Sequence, residues 1–228
     1  MHNEHFISNI DTIITPFTVE DNERFQPEIL LTFGGMVVSK RIKAFLRKYK
    51  PKEHWHIDPF RAYDTFGALT KHFKTEPNLF FEQFMPLSKN IESQYQVEFD
   101  AIKKLRKEKQ ALYLSKVPFS DFKAFDLIMP RLPKQSMLQV GNSSPIRYAQ
   151  LLEIDQTISV FSNRGTSGID GSSSTAIGAA FASNQQTVLI TGDISFLYDS
   201  NALWNQYIPK NFKIILVNNG GGGIFRIL

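Results

Sequence analysis

Two short segments carry the residue types that hold a divalent cation beside a phosphate. Asp193 stands in Gly192-Asp193-Ile194-Ser195 just after the apolar run Thr187 to Ile190, and Asn219 stands in Asn218-Asn219 after the apolar run Phe212 to Val217, with residues 194–218 between them. Magnesium takes hard oxygen ligands in near-octahedral geometry, usually one or two from protein side chains and the rest from phosphate and water. One carboxylate and one amide oxygen meet that demand. The glycine run Gly220 to Gly223 lets a backbone carbonyl join them and lets main-chain amides approach a phosphate with no Cβ in the way. The plainer alternative is an aspartate capping a helix after a strand, and an Asn-Gly turn.

The elements around these segments must bring them together. Both apolar runs are short, β-branched and bounded by turn residues, which predicts buried parallel strands. A helix is expected between them over Asn201 to Tyr207. A right-handed strand-helix-strand crossover then puts both strand ends on one edge of the sheet, where open α/β sheets bind ligands. Further strands are expected at Met137 to Val140, Ile158 to Phe161, Leu30 to Gly35 and Trp55 to Asp58, with a helix from Ser39 to Leu46 capped by Ser39. The fold class is α/β, with two doubly wound, Rossmann-like parallel-sheet domains at 1–116 and 117–228. The first ends in a long charged helix with Ile91, Tyr95, Phe99, Ile102 and Leu105 on one face; Val117-Pro118-Phe119-Ser120 opens the second.

Upstream segments complete a pattern: Gly141-Asn142-Ser143-Ser144-Pro145-Ile146-Arg147, and Ser162-Asn163-Arg164-Gly165-Thr166-Ser167-Gly168-Ile169-Asp170-Gly171. With Gly192-Asp193 and Asn218-Asn219, the chain resembles the thiamin diphosphate enzymes, and within them the 2-succinyl-5-enolpyruvyl-6-hydroxy-3-cyclohexene-1-carboxylate (SEPHCHC) synthase family of menaquinone biosynthesis. Two positions depart from the common pattern: Ile194 replaces the third glycine of Gly-Asp-Gly, and Gly220 stands where a third asparagine is frequent. The resemblance implies thiamin diphosphate with magnesium, or manganese in its place. It assigns the metal to Asp193, Asn219 and Gly221. Cofactor contacts fall on Ser143, Ile169, Gly192, Ser195, Ile224 and Phe225, with Ile169 as the apolar support under the bent cofactor. Substrate contacts fall on Lys40, Arg41, Arg147 and Arg164.

The implied reaction is a transferase step: 2-oxoglutarate is decarboxylated on the cofactor and the remaining unit is added to isochorismate. Both substrates carry two carboxylates, which suits arginine forks. The family's pyrimidine-binding domain, with its activating glutamate, has no counterpart in this sequence. The chain therefore reads as a fragment of such an enzyme, covering parts of its central and diphosphate-binding domains, and is expected to be inactive and weak in cofactor affinity when isolated. The complete enzyme is expected to be a cytoplasmic homodimer or homotetramer. Two other readings stay open: a different thiamin-dependent 2-oxo acid synthase or decarboxylase, and a non-catalytic α/β binding module.

Composition sets outer bounds. The chain has 228 residues, 42% of them hydrophobic, enough for one large or two small cores. No run of apolar residues is long enough to predict a transmembrane helix, and no secretory leader pattern is seen. The absence of cysteine excludes disulfides and thiol catalysis. The net charge of +4 is partly local to Lys103-Lys104-Leu105-Arg106-Lys107-Glu108-Lys109, which reads as a solvated helix face rather than a nucleic-acid site. His54 and His56 flank Trp55 and would point to one side, a conceivable metal pair lacking a third ligand nearby in sequence. Ser172 to Ala180 is rich in small residues, as a closely packed helix requires.

Overall fold

Residues 6–7, 9–35, 37, 39–89 and 92–223 are described by the computed structural model; Ile91, Ile224 and Phe225 lie outside them. The described residues divide into two units, 6–109 and 110–223.

The first unit begins with α1 (Ile10–Ile14) and α2 (Val19–Arg24), then β1 (Ile29–Phe33), α3 (Lys40–Lys48), β2 (Glu53–Ile57), β3 (Leu69–Phe73), α4 (Pro77–Phe84) and most of α5 (Gln94–Lys116). Local chemistry fixes the helix starts. Thr18 and Asp21 form a reciprocal capping box on α2, and the Ser39 hydroxyl accepts the Ile42 N–H at 3.1 Å to open α3. The three strands are parallel in the order β1-β2-β3. Phe25 is fully buried, with Phe17, Tyr95 and Phe99 rings 5.2, 6.0 and 4.6 Å away, so the aromatic face of α5 packs where the apolar spacing put it.

His54 and His56 do share a face of the first sheet. Thr32 Oγ1 lies 2.8 Å from His54 Nε2 and 2.9 Å from His56 Nδ1, and His72 Nε2 contacts the Asp58 carbonyl at 2.7 Å. Among the described residues no group of three metal-ligating side chains gathers here. Burial pushes the His54 pKa below the ordinary histidine value, so folding disfavours the protonated ring. Unfolding restores a value of about 6.5. The unfolded state then binds more protons as pH falls through that value, so the stability carried by neutral His54 is present above it and lost below it. Urea midpoints of the first unit should fall between about pH 7.5 and pH 5.5, and His54→Gln should flatten that dependence. An equal slope in the variant would assign the effect to other groups.

The second unit holds α6 (Asp121–Ile128), β4 (Met137–Val140), α7 (Ser144–Ala149), β5 (Ser159–Phe161), α8 (Ser172–Ala182), β6 (Thr187–Gly192), α9 (Asp193–Tyr198) and β7 (Phe212–Val217). Its strands are all parallel, in the order β5-β4-β6-β7. β6 is central and buried from Thr187 to Thr191, as a continuous apolar strand covered on both faces should be. Phe125, Leu138, Val188 and Ile190 form the core around it. The small residues Ser172, Ser173, Ala176 and Ala180 bury one side of α8. Its N-cap, Gly171, has no side chain, and the buried Asp199 substitutes by accepting the Ser174 N–H at 2.7 Å and the Ser174 hydroxyl at 2.6 Å.

The crossover between β6 and β7 differs from expectation. No helix covers Asn201 to Tyr207; α9 starts directly at Asp193, and a 3-10 turn follows at Ser200–Leu203. Asn205 explains the break, because its side chain donates to the Ala202 carbonyl at 2.6 Å and accepts the Tyr207 N–H at 2.8 Å. Such local bonds compete with helix continuation. Trp204 is 81% exposed in this irregular stretch, not held in a helix.

The strand order reverses between β4 and β6, so their carboxyl ends flank the crevice where open α/β sheets bind ligands. The approach there is close. A Cβ on Gly141 would lie 2.9 Å from Thr191 Oγ1 and 3.2 Å from Thr191 Cα, which reserves this position for glycine.

Candidate functional site

The loops after β4, β6 and β7 and the start of α6 enclose a pocket with about 540 Å³ of empty space, its open mouth included. The lining includes Asp121, Ser143, Ile169, Asp193, Ser195 and Asn219, with Phe125 and Tyr148 contributing apolar surface.

Asp193 is fixed from two sides. Its Oδ1 accepts the Ile194 N–H at 2.8 Å and its Oδ2 accepts the Gly221 N–H at 2.7 Å. Burial works against its ionised form, but these main-chain donors outweigh burial and hold its pKa below the ordinary aspartate value. β6 and β7 pair through Gly192 and Val217, which brings the Asn218-Asn219 segment to the same edge. Asn219 Oδ1 accepts the Gly223 N–H at 3.3 Å, and Asn219 Nδ2 donates to Asp121 Oδ2 at 2.9 Å. Gly220, Gly221 and Gly222 have φ of 77°, 106° and 65°, a left-handed path that side chains other than glycine rarely take. A Cβ placed on Gly192 or Gly221 would meet nothing within 4 Å, so open space borders the carboxylate of Asp193.

This donor set fits a divalent cation carrying a diphosphate. Asp193 offers a carboxylate whose ionised form main-chain donors favour, Asn219 adds a hard oxygen, and the glycine path leaves room for phosphate oxygens.

Other expected residues divide into those that meet at the pocket and those that do not. Ser143, Ile169, Gly192 and Ser195 line it; the Ser195 hydroxyl donates to the Ile169 carbonyl, tying the two loops together. Gly221 reaches the site through its N–H to Asp193. Arg147 is exposed on α7, and neither it nor Arg164 lines the pocket. Arg164 Nη1 donates to Asn142 Oδ1 at 2.9 Å, so part of its guanidinium supports the fold. Lys40 and Arg41 are exposed at the start of α3 in the first unit, where the helix dipole disfavours cations.

Two residues with structural weight were not singled out in the sequence. Asn142 is 1% exposed and donates to the carbonyls of Asn163 and Gly168 at 2.7 and 2.6 Å, stitching the loop after β5 to the end of β4. Asp121 reaches Asn219 across 98 positions of sequence. The Asn142 signal was available as a polar residue between Gly141 and Ser143 at a strand end; Asp121 gave none beyond its place in a helix first turn.

Ser143 adopts φ 69° and ψ −128°, a conformation costing a non-glycine residue roughly 1–3 kcal/mol. Strain held at a ligand edge is a functional signature when the surrounding fold enforces it. Ser143→Gly should raise the stability of the chain by about 1 kcal/mol, read as a higher urea midpoint. An unchanged or lower midpoint would show that the hydroxyl contributes more than the strain removes.

Comparison with known proteins agrees with this geometry. Residues 139–227 match the family described as thiamine pyrophosphate enzyme, C-terminal TPP binding domain. The chain carries a thiamine pyrophosphate enzyme domain. That domain contains every loop of the pocket except the start of α6. Over its whole length the chain is 68% identical to a SEPHCHC synthase of Flavobacterium psychrophilum and 56% identical to one of Christiangramia forsetii; 97% of it aligns at 42% identity with one of Bacteroides fragilis. It spans only about two fifths of these curated relatives, covering 42%, 40% and 39% of their lengths. No helix among the described residues is long and apolar enough to cross a membrane.

Proposed function

We propose that the thiamine pyrophosphate enzyme domain holds the diphosphate and its metal for a SEPHCHC synthase reaction, in which 2-oxoglutarate loses carbon dioxide and its succinyl unit is added to isochorismate on the way to menaquinone. The observation that supports this most is the meeting of Asp193 and Asn219 at the glycine path Gly220–Gly222, inside a chain 68% identical to a SEPHCHC synthase. Asp193, the Asn219 amide oxygen and the Gly221 carbonyl are the metal ligands in this reading, magnesium being preferred and manganese a substitute. Ser143, Gly192 and Ser195 border the diphosphate, Ile169 supports the cofactor's bend, and Ile224 and Phe225 complete its contacts. Arg147, Arg164, Lys40 and Arg41 bind substrate carboxylates.

Thiamin diphosphate, when bound, supplies the carbon that cleaves 2-oxo acids and carries the product fragment. The chain's own residues do the rest of what can be derived. Asp193 stays ionised because main-chain N–H groups compensate its burial, so it offers a fixed negative charge to a cation. Phe125, Ile169 and Val217 give the pocket an apolar wall. The spare donors of Arg164, whose position the Asn142 bond fixes, are available to a carboxylate.

Assigned in the same terms, 1–116 belongs to a central domain and 117–228 to the cofactor-binding domain, in an enzyme that works as a homodimer or homotetramer in the cytoplasm. The decisive test is loss of isochorismate by the protein recovered from its source with an antibody to this chain, assayed with 2-oxoglutarate, thiamin diphosphate and magnesium. Loss that needs all three supports the reading. Persistence of isochorismate while another 2-oxo acid is decarboxylated would keep the cofactor and remove the substrate assignment; no consumption at all would overturn both.

A further inference from the structure

The geometry points to Asp121 as a positioning residue that sets which end of the Asn219 amide faces a metal. The inference rests on the metal-diphosphate reading above and extends it to a residue outside the matched domain region 139–227.

Asp121 opens α6, and its own helix is already capped by Ser120, whose hydroxyl accepts the Lys123 N–H at 3.4 Å. Asp121 is thus not needed as the cap. It lines the pocket instead, and its Oδ2 accepts from Asn219 Nδ2 at 2.9 Å. An asparagine amide has two ends of similar shape and opposite polarity, one a donor and the other an acceptor. A carboxylate oxygen can only accept, so the Nδ2 end is held toward Asp121 and the Oδ1 end is turned to the glycine path. The Gly223 N–H meets Oδ1 there at 3.3 Å. That path is the one whose Gly221 N–H also binds Asp193 Oδ2, so the two oxygens that could serve one cation are gathered on one loop, one of them by way of Asp121.

Without Asp121 only the longer Gly223 N–H contact, at 3.3 Å, would oppose a half-turn of the amide that presents Nδ2, a donor that no cation accepts. Outer partners that orient ligands in this manner typically account for a 10–100-fold change in metal affinity. They do so without touching the metal.

The test uses the 228-residue chain with manganese as the metal, followed by electron paramagnetic resonance with thiamin diphosphate present, and nuclear magnetic resonance of the Asn219 side-chain amide in the metal-free chain. Asp121→Asn, which removes the obligatory acceptor at nearly constant volume, should weaken manganese binding by about 10–100-fold and shift the Asn219 amide signal before any metal is added. Asp121→Glu should restore part of the affinity. Ser120→Ala, which weakens the same helix start without touching Asn219, should lower the melting temperature and leave manganese affinity as it was. Equal manganese affinity in Asp121→Asn and the parent chain would overturn the inference, as would an unmoved Asn219 signal or an equal loss in Ser120→Ala. If Asp193→Ala also leaves manganese binding unchanged, the metal reading itself fails; if only Asp193→Ala abolishes it, the site stands and the role of Asp121 falls.

Discussion

Asp193→Ala should abolish the magnesium-dependent part of thiamin diphosphate binding by the chain, a larger effect than the roughly 10–100-fold that accompanies loss of an outer partner. The variant removes a pocket carboxylate whose ionised form is favoured by main-chain donors and which neighbours open space at Gly192 and Gly221. It also leaves the Ile194 and Gly221 N–H groups without their acceptor. Calorimetric titration of the cofactor with magnesium, and again with a chelator, separates the two contributions. Magnesium should enhance binding to the parent chain and make no difference to the variant. A magnesium dependence that survives Asp193→Ala would place the cation on other ligands.

The second large effect concerns stability. Asn142→Ala should destabilise the second unit by about 3 kcal/mol, since it deprives two carbonyls and an arginine of their partner, at about 1–3 kcal/mol for each buried group left unmade and discounted for partial exposure of the loop. For a unit of this size the melting temperature would fall by roughly 10 °C. Asn142 makes three bonds at 2.6 to 2.9 Å and is 1% exposed, so water cannot replace it without opening the strand end. Under the proposed role of Arg164, substrate-carboxylate binding should weaken in parallel, because Arg164 loses the contact that orients it. A melting temperature within a degree or two of the parent would mean that the loop after β5 is held by other contacts.

The strands of the second sheet were legible in the sequence, although Phe212–Val217, expected to be buried, is a half-exposed edge strand. Met137–Val140 and Phe212–Val217 have the expected limits, because a short, mostly apolar run closed by Gly-Asn or Asn-Asn leaves few alternatives. The convergence of Asp193 and Asn219 was readable for the same reason: crossover handedness is nearly invariant, so adjacent parallel strands deliver their ends to one edge. The crossover itself was misread. Residues 201–207 have helical spacing, but Asn205 satisfies its neighbours' backbone locally, and that bond is a side-chain choice that periodicity does not register. Asp121 was invisible because its partner is 98 positions away and its local setting, a first-turn acid behind a serine cap, already has a sufficient explanation. Arg164 was read as a substrate-binding arginine; the buried amide of Asn142 takes one of its donors, which only the fold could reveal.

The irregular stretch after Leu203 has an evolutionary reading. What aligns Asp193 with the glycine path is the pairing of Gly192 with Val217, not the length of chain that joins them. Tyr207 and Trp204 stand largely in solvent between those two points. Residues could be inserted or deleted there while both ends stay anchored in the sheet, since lengthening an exposed loop costs little. The interval between the two motifs is therefore free to drift among descendants of one ancestor, and a search that demands a fixed gap would pass over true kin.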